Sequence, residues 1–296
     1  MNKFLLIALM LLAFLVFNKQ SINKSNPLRI ITYNGWKGFE DAPDRYAAFI
    51  EWMKEQNPDI VALQELNGYT KKKLKTDAEQ WGHTYSALYQ TKTGYHLGLT
   101  SAKPIETIEI NQNKMAHGLQ HCRTAGIDFF NTHLSPFTYK ERQTEILFIM
   151  DEINQTQNKN IILLGDLNAL SSKDSIQYKA TTVHQYFIER DSIYNSNFNL
   201  NNGELDYSVI SVLDKSKMKD LMKNYHPTFP TQRKFTSNSF SKHSQEAIKN
   251  ISRRIDYIYA SPAMSQNFKK AYIIDTEQTN MISDHFPLIA EFNTHD

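Results

Sequence analysis

The chain has one cysteine, Cys122, so it can form no intramolecular disulfide and no cysteine-built zinc cluster. Glycine is scarce, at 10 of 296 residues. Neither a phosphate-cradling Gly-rich loop nor a dinucleotide-binding fingerprint is present, which disfavours P-loop and Rossmann readings. No Ser or Cys stands in a nucleophile context such as G-x-S-x-G. A net charge of one sign is missing too, with 33 Lys+Arg against 31 Asp+Glu. Lys3 and Lys19 supply the excess, because the first 20 residues contain no acid. The remainder is neutral and lacks the overall positive field that holds nucleic acid by counterion release. What is present looks ordinary: 41% hydrophobic and 22% charged residues exclude a disordered, collagen-like or polytopic membrane chain.

One long apolar run occurs, Phe4–Phe17. Its fourteen residues fit a signal-peptide core and fall short of the ~18–20 needed to span a bilayer. Val16-Phe17-Asn18 lacks a small-x-small cleavage pattern, and no Cys follows to carry a lipid. Export to the periplasm or medium is expected, with a retained membrane anchor as the competitor. Residues 1–26 are read as leader plus linker, and 27–296 as one catalytic domain that acts as a monomer.

Beyond the linker, strand-length apolar runs alternate with helical patterns. Tyr46, Phe49, Ile50 and Met53 fall at i, i+3, i+4 and i+7, the spacing of an amphipathic helix over Arg45–Glu55. Thr138-x-x-Glu141 is a capping box opening a helix over Thr138–Asn154. Leu28–Tyr33, Ile60–Gln64, Ile161–Leu164 and Leu288–Phe292 read as buried strands, and Tyr95–Thr100, Ile105–Ile110, Gly126–Asn131, Arg254–Tyr259 and Ala271–Ile274 as further strands. About Thr181 to Asn250 the periodicity weakens, which suggests a long surface insertion or loops framing a site. Within it, Thr231–Arg254 carries six Lys/Arg against the single acid Glu246.

The informative pattern is at the strand ends. Asn34 ends the first strand, Gln64-Glu65 the second, His133 the Phe129–Thr132 run, and Asp166 with Asn168 the Ile161–Gly165 run. Asp256 lies in Arg254–Ile258, and Asp284-His285 immediately precedes Phe286–Ile289. A single strand-end acid is usually a cap or turn residue. Six groups along one sheet edge would converge on a crevice. A carboxylate such as Glu65 among oxygen donors suits a hard divalent cation, Mg²⁺ or Mn²⁺. An Asp–His pair holds an imidazole charged against a developing oxyanion, and a further carboxylate can take a proton from water.

In these motifs the sequence resembles the endonuclease/exonuclease/phosphatase superfamily: Ile31-Thr32-Tyr33-Asn34, Leu63-Gln64-Glu65, Asn131-Thr132-His133-Leu134, Gly165-Asp166-Leu167-Asn168, Arg254-Ile255-Asp256-Tyr257 and Ser283-Asp284-His285, in that order. The resemblance implies a four-layer α/β/β/α sandwich of two packed mixed sheets. It implies metal binding by Glu65 with Asn34 and Asp284, and water activation by Asp166. It places Asn168 on the scissile phosphate, pairs Asp256 with His285 at the transition state, and puts His133 against a phosphate oxygen or the leaving group. Trp36 and His133 stand where abasic-site endonucleases of this fold carry an acid and a Tyr/Asn-type motif, which favours small-ester or lipid phosphatases and secreted nucleases. Arg123 and His121 are candidate substrate contacts. The expected partner is a phosphate ester, with nucleic acid as the alternative substrate and a membrane contact through the apolar leader. A non-catalytic binding module is the reading from another class. It is disfavoured because unbalanced carboxylates in one crevice are costly to keep without a cation.

Overall fold

The computed structural model describes residues 26–39, 43–110, 115–222, 224–228 and 252–294. Residues 1–25 of the leader and 229–251 of the basic stretch lie outside the described residues.

Runs that are apolar at every position must be covered on both faces, and this requirement produces the layers. The first sheet has strand order β13-β14-β1-β2-β4-β3. It comprises β1 (Leu28–Asn34), β2 (Ile60–Gln64), β3 (Tyr85–Tyr89), β4 (Leu97–Ser101), β13 (Phe268–Ile273) and β14 (Leu288–Phe292). The second, ordered β11-β12-β8-β7-β6-β5, comprises β5 (Glu106–Ile108), β6 (Leu119–Thr124), β7 (Ile127–His133), β8 (Ile161–Asp166), β11 (Lys219–Asp220) and β12 (Asp256–Ala260). A short hairpin, β9 (Leu200–Asn201) with β10 (Glu204–Leu205), stands apart.

Alternate residues of each strand face opposite ways. Ile30, Ile60, Ala62, Phe129, Ile162, Leu164, Ile258 and Leu288 fill the space between the sheets. Their neighbours Ile31, Val61, Leu63 and Ile289 meet Phe49, Trp52 and Met53 of α1 (Pro43–Gln56) and Leu74 of α2 (Lys71–Gln80). On the other side Phe130, Leu163, Tyr257 and Tyr259 meet Ile146 and Ile149 of α3 (Tyr139–Gln155). The result is the expected α/β/β/α sandwich of two mixed sheets. The capping box forms as read: Thr138 Oγ1 accepts from Glu141 N–H at 3.2 Å, and Glu141 Oε2 accepts from Thr138 N–H at 3.2 Å.

The described part of the Thr181–Asn250 region is not a structureless insertion. With α4 (Ser175–Lys179) before it, it contains α5 (Val183–Tyr194), the β9–β10 hairpin and α6 (Ser208–Lys215). Val183, Phe187, Phe198 and Leu200 build a core of their own with Tyr178, Leu170 and Ile255. Two short helices, α7 (Pro262–Gln266) and α8 (Glu277–Ile282), link the last strands. No helix among the described residues is long and apolar enough to cross a membrane.

Candidate active site

Strand pairing brings the six motifs to one edge. Asn34 lies opposite Gln64 in the parallel β1–β2 pair, and His133 opposite Asp166 in the parallel β7–β8 pair. β12 runs antiparallel to β8, so its first residue, Asp256, is also opposite Asp166. β14 runs antiparallel to β1, which puts the preceding Asp284-His285 at the same edge.

A polar bolt joins the sheets beneath the site. Gln64 Nε2 donates to Asn131 Oδ1 at 2.8 Å and to Thr32 Oγ1 at 3.0 Å. Asn131 Nδ2 in turn meets the carbonyls of Leu63 and Gly98, each at 3.1 Å. Arg45, buried in α1, donates to the carbonyls of Ile282 (2.8 Å) and Trp36 (2.9 Å), tying the Asn34 turn to the Asp284-His285 segment. Two glycines permit close approach: a Cβ on Gly38 would lie 2.3 Å from Asn67 O, and one on Gly165 2.0 Å from Thr132 O. Glu65 and Asn168 themselves adopt left-handed backbone, at φ 57 and 47, a conformation retained where the surroundings enforce it.

Asp166 is at the centre. Its Oδ2 accepts from Asn34 Nδ2 at 3.0 Å and lies 3.5 Å from His133 Nε2 and 3.6 Å from His285 Nε2. Its Oδ1 accepts from Asn168 N–H at 2.8 Å. Burial, followed by the charge of Asp256, raises Asp166 to about 7. Glu65 is likewise raised to about 7, by burial and then by Asp284. His285 Nδ1 is bonded to Asp256 Oδ2 at 2.7 Å. Burial opposes charge on that ring, but Asp256 and Asp166 overcome it and raise His285 to about 10. His133 is driven the other way: burial, then His117 and His285, hold it well below the usual imidazole range. Its Nδ1 is buried without a hydrogen-bond partner among the described residues.

Two donor groups could hold a metal ion, Glu65/His133/Asp166 and Asp166/Asp256/His285. The donors fit a hard divalent cation, since burial and then neighbouring charge have raised two carboxylates and a cation is the direct relief. Asp284 is near enough to influence Glu65, and its Oδ1 lies 3.9 Å from His285 Nε2. Asn34 donates through its amide nitrogen, while its oxygen accepts one hydrogen bond and keeps a second lone pair for a cation. Its Nδ2 bridges Asp166 and Glu65 Oε1 (3.2 Å), while its Oδ1 accepts from Trp36 N–H. Asn168 Nδ2 is anchored on the Leu134 carbonyl at 3.0 Å.

Arg123 and His121 are not at the site, which corrects the substrate-contact reading. β6 runs antiparallel to β7, so Arg123 lies opposite Asp128, at the end of β7 away from His133. Five residues of strand separate the two, roughly 17 Å. Arg123 pairs with Asp128 and Glu106, and His121 bonds Asp128 Oδ1 at 2.8 Å while stacking on Phe130. His117, just before β6, lies tilted against His133 with centroids 4.6 Å apart and meets Tyr95 at 4.6 Å. Burial lowers His117 to about 4. The proximity of His117 to His133 in sequence was the only available signal; Tyr95 and Arg45 had none. Thr228 Oγ1 accepts from Asp256 N–H at 3.0 Å at the site, whereas Tyr225 packs on Tyr178 beside the core around Phe187.

A two-sheet sandwich with carboxylates, amides and imidazoles gathered at one sheet edge defines a class of protein. The particular family follows from the sequence: residues 31–285 match the model of the Endonuclease/Exonuclease/phosphatase family, and the chain belongs to it. An AP endonuclease from Archaeoglobus fulgidus has a similar structure, with TM-score 0.60 and 18% identity over 90% of this chain and 100% of that one. The 3' phosphatase NExo from Neisseria, bound to product DNA hairpin, gives 0.58 and 16% over 90% and 100%. An endonuclease/exonuclease/phosphatase from Bacteroides vulgatus gives 0.55 and 18% over 92% and 100%. No relative is found among curated protein sequences.

Proposed function

We propose that the chain is an exported, Mg²⁺- or Mn²⁺-dependent phosphoesterase that hydrolyses a small-molecule or lipid phosphate ester by in-line attack of water. The observation that carries this is the convergence on Asp166 of Asn34, His133 and His285 from three other strand ends. Glu65, with Asn34 and Asp284, would hold the ion, which leaves Asp166 to the water. When bound, it would neutralise charge developing on the phosphoryl oxygens.

The residues supply the remaining chemistry. A carboxylate titrating near 7 is ionised about half the time at neutral pH and can accept a proton from a water placed beside it. His285 is held charged by Asp256, and its Nε2–H donates toward the phosphoryl oxygens. His133 turns Nε2 toward Asp166 (3.5 Å) and Glu65 (3.9 Å), an orientation that suits a neutral ring protonated at Nε2 with the lone pair on Nδ1. The P–O ester bond breaks as the water oxygen bonds to phosphorus, and no phosphoenzyme forms.

The second reading is a secreted or envelope nuclease, favoured by the likeness to an AP endonuclease and to a phosphatase bound to a DNA hairpin. One assay series separates them. The full chain is tested with Mg²⁺, Mn²⁺ or EDTA on bis-p-nitrophenyl phosphate, p-nitrophenyl phosphate, sugar and inositol phosphates, sphingomyelin and supercoiled plasmid. Metal-dependent hydrolysis is expected, reduced about 10³-fold in Glu65→Gln and Asp166→Asn. Activity that survives EDTA and both substitutions would sink the mechanism. Plasmid nicking well above small-ester turnover would put the nuclease first. Fractionation of cells expressing the chain tests export.

A further inference from the structure

The Asp256–His285 pair spans the two sheets: Asp256 opens β12 in one, and His285 precedes β14 in the other. A 2.7 Å contact made this way is only as accurate as the relative placement of the two strand ends. Each end has its own anchor. Ile255 O accepts from Leu167 N–H at 2.8 Å, and Ser283 Oγ accepts from His285 N–H at 3.2 Å while donating to Asn34 O at 2.6 Å.

Thr228 connects the two. Its side chain is fully buried, and its Oγ1 accepts from both Ile255 N–H (2.9 Å) and Asp256 N–H (3.0 Å). Its own N–H donates to Arg253 O at 3.1 Å, and its carbonyl accepts from Phe286 N–H at 2.6 Å. One residue therefore holds the backbone of Asp256 from its side chain and the neighbour of His285 from its main chain. A methyl in place of the hydroxyl would leave two buried N–H groups without this acceptor, so Val is not conservative here despite its equal size.

We propose that Thr228 is a positioning residue for catalysis, setting the register between Asp256 and His285 across the two sheets. This rests on the phosphoesterase reading, and the two are tested separately. The first arm needs no turnover: the proton shared by His285 Nδ1 and Asp256 is followed by NMR in the wild-type chain, Thr228→Ser and Thr228→Val. A downfield, slowly exchanging proton is expected in wild type and Thr228→Ser, and its loss in Thr228→Val. The second arm is hydrolysis of bis-p-nitrophenyl phosphate. Thr228→Val is expected to lose about 10²-fold in kcat, as a small misplacement of a reacting group does. Its KM should stay within about twofold, and Thr228→Ser should restore kcat.

A wild-type chain without turnover would sink the functional reading while the proton resonance still tested the positioning. A folded Thr228→Val with the resonance and kcat intact would overturn the proposal. If Thr228→Val does not fold, Thr228→Ala is read in the same two ways. Loss of the fold in both, or failure of Thr228→Ser to restore kcat and the resonance, would make Thr228 structural only and also overturn it.

Discussion

Burial at the foot of β12 and β14 would by itself strip His285 of its charge; Asp256, 2.7 Å away, prevents this. The pair therefore determines the alkaline limit of any reaction that uses a charged His285. In the native chain that limit lies near 10. Asp256→Asn keeps a side chain of the same shape but removes the charge that opposes burial, so the pKa of His285 falls. Activity should then be lost as pH rises through the neutral range. We expect Asp256→Asn to lose about 10²-fold at pH 8 and much less at pH 6, measured as kcat/KM against pH. Parallel profiles for the two proteins would refute a charged His285. His133 contrasts with it: a second imidazole at the same edge lacks such a partner and is held neutral. Residue type alone could not distinguish the two rings, because the difference lies in which strand end faces each one.

At the level of elements, β7 and β8 leave no room for a side chain at Gly165, where the site is built. Gly165 has φ 127, and a Cβ there would lie 2.0 Å from Thr132 O, immediately before Asp166. Gly165→Ala should cost about 2–4 kcal/mol of stability, because strained backbone and a backbone clash act together. Urea unfolding measures this; a loss within about 0.5 kcal/mol, the scale of an ordinary surface change, would show that the strands can part without penalty. The same strands were legible in sequence because each is a continuous apolar run ending in polar ligands, as in Ile161–Asp166. β6 escaped notice because its buried positions include Gln120 and His121, satisfied by Asn131 and Asp128 rather than by apolar contact. β3 escaped because it is an edge strand, only half-buried. The helices after Thr181 were obscure for a related reason, since α5 anchors itself through little more than Val183 and Phe187. Strand-end chemistry could be read locally. The antiparallel turn that carries Arg123 away from His133 could not.

Across the whole molecule, two sheets packed through an apolar interior hold several carboxylates at their shared edge, and the fold bears the cost. Glu65 and Asp166 titrate near 7 in the folded chain, against an ordinary carboxylate value near 4 when unfolded. The folded state therefore keeps protons that the unfolded state has already released, and stability declines as pH rises from about 4 through 7. Below that window both states are protonated and the penalty vanishes. A divalent cation takes the place of the Glu65 proton and its charge opposes that of Asp166, so it should stabilise the fold little at pH 5.5 and strongly at pH 8. At a hundredfold excess over its dissociation constant, an ion that binds only the folded chain contributes about 2.7 kcal/mol. Thermal unfolding of the full chain with Mg²⁺ or Mn²⁺ at the two pH values, against EDTA, reads this directly. The melting temperature without ion should fall between pH 5.5 and 8, and added ion should recover most of the loss. Glu65→Gln should abolish the response to ion and remove only the Glu65 share of the pH-dependent loss, leaving that of Asp166, and should be more stable than the native chain at pH 8 without ion. An ion-induced gain equal at both pH values, or one that persists in Glu65→Gln, would show that the strand-end carboxylates do not hold the cation.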